Sequence, residues 1–207
     1  MQTTGGPVDL FGQSVSPYTA AVGDLFIPTW TGVLENIHIA DAASRPMQAM
    51  ESAEIVAGVG IPTDRYATRR GNYSDRHHID RQITLIESET LVALARDRQI
   101  IVEPHEHRRN LTTRGVALTH LVGEYFTIGS CVLYGGRLNV PCTYLERLLD
   151  RPVFRALIHR SGLNARVIVG GTIRVGDAIR PCDGEALDPQ LRADNERHEL
   201  QPPHEAS

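Results

Sequence analysis

Short segments in which hydrophobic and polar residues alternate recur along the chain, and this pattern is typical of half-buried β-strands. Residues 33–39 alternate in this way towards their end, residues 53–59 form a second candidate strand, and residues 82–86 are a β-branched apolar run. In the second half of the chain the pattern predicts strands at residues 125–128, 131–134, 137–140, 167–169, 172–175 and 178–179. Glycine-containing pairs predict the turns between them, at residues 129–130, 135–136, 170–171 and 176–177.

Two segments show helical spacing instead. Apolar residues recur every three or four positions within residues 88–98, which predicts an amphipathic helix. Pro141 suits the first position of a second helix, whose leucines would face inward. Many short strands with a few helices predict a mainly β fold, a barrel rather than a parallel doubly wound sheet.

The organisation along the chain indicates one domain between two less patterned ends. Residues 1–30 are rich in Gly, Pro, Ser and Thr and are predicted to be an N-terminal extension. Residues 31–180 carry the strand and helix patterns, and 207 residues are enough for one well-buried core. Residues 181–207 hold seven acidic residues against two arginines, and we expect this acidic tail to be disordered.

Composition excludes several classes of function. The chain has no lysine, so covalent pyridoxal phosphate and a Walker-type phosphate lysine are both excluded, whereas arginine remains available for phosphate. Outside the acidic tail the charges nearly cancel, which gives no sign of a nucleic-acid-binding surface. No window approaches the about 18 apolar residues of a membrane helix, and no basic signal region precedes Arg45. We therefore expect a cytoplasmic protein without a membrane partner.

Cys142 is the strongest candidate for chemistry. The three cysteines, Cys131, Cys142 and Cys182, lack CxxC spacing, which argues against a disulfide framework and a structural zinc site. Cys142 follows Pro141 at the predicted start of a helix, where unpaired N–H groups and the helix dipole lower the pKa of a thiol. A thiolate there could ligate a soft metal or carry a persulfide. The alternative is a buried cysteine that acts as a small hydrophobic residue.

Two polar segments are candidates for binding. Residues 106–115 bring together Arg108, Arg109, Asn110 and Arg114, which could hold a phosphate through paired hydrogen bonds or could form a solvated loop. Residues 60–74, which include Arg65, are a glycine-punctuated polar stretch of the kind that lines sites.

Two other signals do not support a site. Residues 58–63 begin like a dinucleotide-binding fingerprint but lack its third glycine. Histidine and acidic residues at two places have no common metal-ligand spacing, and we expect surface loops there: His77, His78, Asp80, Glu103, His105, Glu106 and His107.

Taken in order, seven motifs resemble the MOSC family, which is named for the C-terminal domain of molybdenum-cofactor sulfurase. After the opening strand come the GxxxDRYA loop, RQITLIE (81–87), RRNL (108–111), LVG (121–123), PC (141–142) and GTIRVGD (171–177). The resemblance extends from about residue 32 to residue 179 and so covers nearly all of the patterned chain.

The resemblance implies a β-barrel like the barrel domain of pyruvate kinase and a functional cysteine at Cys142. In amidoxime-reducing relatives the matching cysteine ligates molybdenum, and the segment matching Arg108 to Asn110 holds the pterin and its phosphate. Arg65 and Arg114 are further candidates for binding this cofactor, and His159 occupies a family position from which it could transfer a proton. The chain departs from these relatives at Thr63, where glycine is common, and at Arg109, where proline occurs.

Three functions are compatible with these residues. The first is reduction of an N-hydroxylated or N-oxide small molecule at a molybdenum cofactor held by Cys142, with electrons from a separate donor protein. The second is sulfur transfer through a persulfide on Cys142, with a cysteine desulfurase as the partner. The third is a non-catalytic barrel that binds an anion or a partner. The sequence indicates neither the substrate nor the oligomeric state.

Overall fold

A computed structural model of the protein describes residues 30–75 and 78–199, the last two of them by backbone alone. The predicted N-terminal extension and residue 77 therefore lie outside the described residues, apart from Trp30, which packs against the core. The helices in the described part of the chain are all too short or too polar to cross a membrane.

The described residues form ten strands and four α-helices, with 3₁₀ turns at Ile79–Arg81, Leu118–Leu121 and Gly184–Ala186. In chain order the elements are β1 (Gly32–Ile39), β2 (Gln48–Met50), β3 (Ser52–Ile55), β4 (Ile83–Glu87), α1 (Ser88–Arg98), β5 (Leu111–Arg114), β6 (Tyr125–Ile128), β7 (Cys131–Leu138), α2 (Thr143–Leu149), α3 (Val153–Ala156), β8 (Leu163–Val169), β9 (Gly171–Arg174), β10 (Ala178–Pro181) and α4 (Pro189–Glu199).

Seven strands close into a barrel, which confirms the predicted fold. Around the ring the order is β10, β6, β7, β8, β4, β5 and β1, and the pairing of β1 with β10 completes the circle. Strands β4 and β5 run parallel, whereas the other neighbours in the ring are antiparallel. Strand β2 extends the sheet beyond β1, and β3 pairs with β9 in a separate ribbon. Closure removes the exposed sheet edges that a flat sheet of this size would have.

Alternate apolar residues of the strands fill the barrel, as the two-residue periodicity requires. Leu34, Leu85, Phe126 and Leu133 are fully buried there. A second apolar cluster, which includes Leu94, lies outside the ring, where α1, α2 and α3 cover it. Burial of each such side chain contributes about 1.5–3 kcal/mol to stability.

Several predicted elements are confirmed, and one predicted turn is wrong. The helix over residues 88–98 has the predicted bounds, as does the strand over residues 125–128. The pair Gly135 and Gly136 was predicted to form a turn between two strands, but β7 continues through both residues. A Cβ atom on Gly135 would lie 1.8 Å from the carbonyl oxygen of Leu121. Glycine is therefore required here because another part of the backbone approaches closely, and not because the chain turns.

Strand β5 lies in a segment that was interpreted as a loop. Its sequence is Leu-Thr-Thr-Arg, and the first three residues are buried on both faces. A strand parallel to its neighbour and covered on both sides has no alternation, so the two-residue pattern does not reveal it. Helix α2 also begins later than predicted, at Thr143, with Cys142 as its N-cap and Pro141 one residue before.

Part of the acidic tail is ordered, in contrast to the predicted disorder after Pro181. Helix α4 occupies Pro189–Glu199, and its Asn195 is only 4% exposed. Buried hydrogen bonds from Arg166 to Asn195, rather than an apolar face, hold the helix against the barrel. A polar contact of this kind leaves no hydrophobic periodicity by which the helix could be predicted.

Candidate functional site

One cavity of about 280 Å³ collects most of the candidate residues. It lies between the loop that follows β3, the turn before β5, and the segment that joins β7 to α2. Its lining contains one thiol, five arginines, three tyrosines and several amides and apolar groups: Arg65, Tyr66, Asn72, Tyr73, Arg81, Thr84, Arg108, Arg109, Arg137, Asn139, Val140, Pro141, Cys142, Tyr144, Leu145 and Asn164.

The thiol of Cys142 is half-buried at the cavity wall. Its residue is the extended N-cap of α2, and its side chain packs against the outer apolar cluster beside Leu149. The hydroxyl of Tyr73 lies close enough to this thiol to interact with it. Burial, together with this contact, raises the pKa of Tyr73 to about 12. Tyr73 therefore keeps its proton at neutral pH and can donate it in a hydrogen bond to the sulfur.

Arg65 is fixed in the wall by the loop that follows β3. The carboxylate of Asp64 accepts from Arg65 Nη1 at 2.9 Å and from the backbone N–H of Ala40 at 3.2 Å. The backbone N–H of Arg65 also donates to the carbonyl of Ala40 at 2.7 Å, which ties the loop to the end of β1. From this position Arg65 Nη2 donates to the carbonyl of Arg108 at 2.7 Å, so the two cationic segments are joined directly.

Arg108 adopts a left-handed backbone conformation, with φ of 66°, in the turn before β5. Its guanidinium donates to the carbonyls of Arg45 and Ala42. Its Nε atom is buried and has no hydrogen-bond partner among the described residues. Burial lowers the pKa of Arg108, and the charge of Arg65 lowers it further. An anion in the cavity would offset both the burial of the Arg108 charge and its repulsion by Arg65.

Arg109 is buried and held almost entirely by carbonyl and hydroxyl oxygens. Nε and Nη2 donate to the carbonyl of Ser161 at 3.2 and 3.1 Å, Nη2 donates to its hydroxyl at 2.5 Å, and Nη1 donates to the carbonyl of His107 at 2.6 Å. Burial lowers the pKa of Arg109 to about 10, although the nearby Cys142 opposes this shift. Arg109 therefore supplies positive charge to the cavity while its donors are mostly occupied.

Positively charged side chains predominate in the cavity lining, although Arg65 is paired with Asp64. Five arginines line it, and the lining among the described residues includes no carboxylate. Burial lowers the pKa of Arg137, and the charge of Arg81 lowers it further, as expected for cations that face one low-dielectric space. A site with this charge and one thiol suits an anionic ligand that also offers an atom to bind sulfur.

The chain matches a known domain family. A model of the MOSC domain matches residues 36–180, which is well over half of the chain and nearly the whole barrel. The chain belongs to the MOSC domain family. None of the curated proteins matches it.

Solved structures share the fold of this MOSC domain. The YUAD protein from Bacillus subtilis superimposes with a TM-score of 0.62 at 22% identity, over 72% of this chain and 96% of that one. YiiM from Geobacillus stearothermophilus gives 0.57 at 13% identity, over 82% and 100%, and YiiM from Escherichia coli gives 0.52 at 15%, over 75% and 70%. At these identities the likeness concerns the fold alone.

Four of the seven residues predicted for the MOSC site line the cavity, and three lie elsewhere. Asn110 is buried behind the wall, where Oδ1 accepts from the backbone N–H and hydroxyl of Thr84 at 3.2 and 2.8 Å and Nδ2 donates to the carbonyl of His38 at 3.3 Å. Arg114 is exposed at the far end of β5 and forms an ion pair with Glu35. The four residues in the cavity wall are Cys142, Arg65, Arg108 and Arg109.

The third residue outside the cavity is His159. It is exposed, has a left-handed backbone, and lines a neighbouring, largely apolar cavity of about 260 Å³, which shares residues 139–141 with the first cavity. The structure therefore does not bring His159 together with Arg108 and Arg109.

Several cavity residues were missed by sequence reasoning. Tyr73, Arg81 and Arg137 come from three separate segments whose loop and strand patterns carry no chemical signal. The nearest hint was the polar stretch over residues 60–74, which contains Tyr73. A second cavity of about 210 Å³ shares Tyr66, Tyr73 and Arg81 with the first, so these three side chains form a common wall.

The histidine and acidic residues set aside as surface loops differ in burial. Asp80 is 3% exposed and His107 is 1% exposed, so neither lies on the surface as expected. Among the described residues there is no group of three or more His, Cys, Asp or Glu side chains that could hold a metal ion. His107 instead accepts a hydrogen bond at Nδ1 from the backbone N–H of Arg109, at 2.9 Å, and thereby orients the turn before β5.

Proposed function

We propose that this MOSC domain binds the molybdenum cofactor in the arginine-lined cavity and reduces N-hydroxylated or N-oxide small molecules. One observation carries the proposal: a single cavity joins the thiol of Cys142 to five arginine side chains, and its lining among the described residues has no carboxylate. Thiolate sulfur is a soft ligand of the kind a redox metal accepts, and the positive charge of arginine attracts phosphate.

The charge and the aromatic side chains of the cavity lining suit this cofactor. The unpartnered Nε of Arg108 is a buried donor that a phosphate oxygen could satisfy. The rings of Tyr66, Tyr73 and Tyr144 line the same space and could contact a flat pterin. The volume of about 280 Å³ is close to the lower end of small-molecule sites, which begin at about 300 Å³.

Each residue would have a distinct role. Cys142 would ligate the metal, and Arg65, Arg108 and Arg109 would neutralise the phosphate. When bound, the cofactor supplies two electrons for removal of the substrate oxygen. Each turnover consumes two electrons and two protons, converts the N–OH group to N–H, and releases the oxygen as water. The electrons would come from a separate donor protein.

Tyr73 would hold the sulfur of Cys142 in position for the metal. Its hydroxyl keeps its proton, because its raised pKa opposes ionisation, and it can therefore donate to the sulfur. The positive charge of Arg109 lies close enough to Cys142 to interact with it.

The test is the molybdenum and pterin content of the full chain, purified from a host that makes the cofactor. We expect about one molybdenum per wild-type chain. Cys142→Ser should lose most of it, because a hydroxyl is a poor substitute for a thiolate ligand. Cys182→Ser is the matched control, since Cys182 is a half-buried cysteine that does not line the cavity.

Two results would contradict the proposal. One is wild-type protein without molybdenum and pterin, and the other is metal content that is the same in Cys142→Ser as in Cys182→Ser. Mass spectrometry of metal-free protein after treatment with a cysteine desulfurase addresses the alternative of sulfur transfer. One added sulfur atom that is absent from Cys142→Ser would favour that alternative.

A further inference from the structure

A buried ion-pair network lies directly behind the cavity. Its centre is Asp80, which is 3% exposed and precedes β4. Oδ1 of Asp80 accepts from Arg166 Nε at 2.5 Å, whereas Oδ2 lies 3.7 Å from Arg137 Nε and 3.2 Å from His78 Nδ1. One carboxylate therefore serves two arginines, Arg166 closely and Arg137 loosely.

Only one of these two arginines reaches the cavity. Arg137 lines it, and its Nε atom has no hydrogen-bond partner among the described residues. Arg166 does not line the cavity, and its guanidinium carbon lies 5.4 Å from the centre of the Tyr134 ring. The division of the Asp80 charge between the two therefore determines how much positive charge Arg137 presents to a ligand.

Helix α4 contacts Arg166 directly. Arg166 Nη1 donates to Oδ1 of Asn195 at 2.8 Å and to its carbonyl at 3.1 Å, and Asn195 Nδ2 donates to the hydroxyl of Tyr125 at 3.0 Å. Asn195 is buried, whereas its neighbours Asp194 and Glu196 are exposed. The helix lies beyond residue 180, where the match to the MOSC domain ends.

The backbone of β7 is shaped for the same contact. A Cβ atom on Gly136 would lie 2.2 Å from the carboxyl group of Asp80. The absence of a side chain there lets Asp80 lie against the strand that carries Arg137. The network is therefore built into the wall and does not depend on exposed side chains.

We propose that helix α4 sets the strength with which the cavity binds an anion, because Asn195 keeps Arg166 on Asp80 and so leaves the charge of Arg137 available. This inference rests on the anion-binding role proposed above for the cavity. When Arg166 loses Asn195, Asp80 is less fully neutralised and attracts Arg137 more strongly. The Arg137 guanidinium then lies closer to Asp80 and presents less positive charge to the cavity, so an anion binds less tightly. Asn195 and Asp80 are in this sense positioning residues.

The experiment measures binding of inorganic pyrophosphate to the full chain by calorimetry at about pH 8, where a histidine such as His78 is neutral. Asn195→Ala should weaken binding by roughly threefold to tenfold. Gln190→Ala is the matched control, because it removes an exposed amide from the same helix and should leave the affinity unchanged. In an Arg137→Met background, Asn195→Ala should have no further effect.

A second variant separates positioning from simple loss of structure. Asn195→Asp retains an oxygen acceptor for Arg166 but adds a charge that competes with Asp80 for it. The proposal expects Asn195→Asp to bind pyrophosphate no better than Asn195→Ala, whereas a merely structural role predicts that the retained acceptor restores binding. If Asn195→Ala fails to fold, Asn195→Asp is compared with the wild type instead, and an unchanged affinity for pyrophosphate overturns the proposal.

The outcomes separate this inference from the proposed function. If wild-type protein binds pyrophosphate and Asn195→Ala binds it equally well, only the role of α4 is overturned. The same conclusion follows if Asn195→Ala weakens binding as much with Arg137→Met as without it. If the wild-type protein does not bind pyrophosphate, the anion-binding cavity itself is overturned.

Discussion

Neighbouring residues of the RRN segment have different roles, although all three are buried. Arg108 faces the cavity with an unpartnered Nε atom, and Arg109 turns its donors towards Ser161 and His107. Asn110 joins strands β1 and β4 through its side chain. Burial of two cations that have oxygen partners but no dedicated carboxylate is costly. The arrangement is therefore expected to persist because a ligand makes up the missing negative charge.

Asn110→Ala tests whether Asn110 is structural. Three partners lose their hydrogen bonds in the variant, namely the N–H and hydroxyl of Thr84 and the carbonyl of His38. We expect the free energy of unfolding in urea to fall by about 3 kcal/mol. Pyrophosphate affinity should change by less than about threefold, because Asn110 does not line the cavity.

Gln190→Ala again serves as the control, since it removes an exposed amide and should change stability by less than about 0.5 kcal/mol. A large loss of pyrophosphate affinity with little loss of stability would instead make Asn110 a ligand-binding residue, as the family resemblance implies.

At the scale of elements, β7 joins the core to the site. It is an eight-residue strand whose first half is buried in the barrel and whose later residues include Arg137 at the cavity. Gly135 allows the chain at Leu121 to approach it closely. The two halves keep a fixed relation because the strand is continuous, so the position of Arg137 is inherited from the packing of the core.

Gly135→Ala should disrupt this continuity. The new methyl group would meet the carbonyl oxygen of Leu121 at 1.8 Å, a backbone atom that cannot move aside cheaply. We expect a loss of about 2–3 kcal/mol in the free energy of unfolding, measured in urea.

The control for this variant is Gly123→Ala, where a Cβ atom meets nothing within 4 Å but φ is +85°. Its cost should be about 1 kcal/mol, from backbone strain alone. Equal costs for the two variants would show that crowding at Leu121 is unimportant.

The elements that could be predicted from sequence are those with one buried face and one exposed face. Helix α1 has its predicted bounds because one face is apolar and the other polar. Strand β5 was missed because both of its faces are covered, and β7 was divided because two glycines resemble a turn. Helix α4 was missed because a single buried amide, Asn195, holds it in place. Hydrophobicity patterns indicate which side of an element is buried. They do not indicate close approach of the backbone or buried polar contacts.

At the scale of the whole molecule, the candidate site forms because the barrel closes and brings separate segments of the chain together. Motifs in family order indicated Cys142, Arg65, Arg108 and Arg109, and the barrel brings these four together. Arg137 could not be predicted, because its place depends on a strand register and on a buried carboxylate far away in sequence. The role of Asn110 could not be predicted either, because its motif marks the family whether Asn110 binds a ligand or supports the cavity wall.

Global stability should depend on pH through two buried histidines near the cavity wall. Burial holds the pKa of His107 well below its ordinary value of 6.5, and burial also lowers the pKa of His38. Both therefore take up a proton less readily in the folded state than in the unfolded chain, where histidine binds protons near pH 6.5. Their contribution to stability is complete above that pH and is lost as the pH falls from there towards the folded-state pKa, by at most about 1.4 kcal/mol per pH unit for each histidine.

Urea unfolding measured between about pH 7.5 and pH 5 checks this expectation. His107→Gln should be less stable at neutral pH and should show a shallower decline, because one of the two titrating groups is gone. His120→Gln is the control, since His120 is exposed and should leave the slope unchanged. A slope that His107→Gln does not alter would place the proton uptake elsewhere.

The cations among the described lining residues of the cavity are all arginines, and this has a consequence for how the protein responds to its surroundings. A guanidinium does not deprotonate in the physiological range, and even Arg109, whose pKa burial lowers to about 10, stays charged at neutral pH. These arginines therefore keep their positive charge through acidification and mild alkalinity, and acetyl groups have no amine here to modify. Ionic strength, rather than titration of the arginines, is expected to change their attraction for an anion.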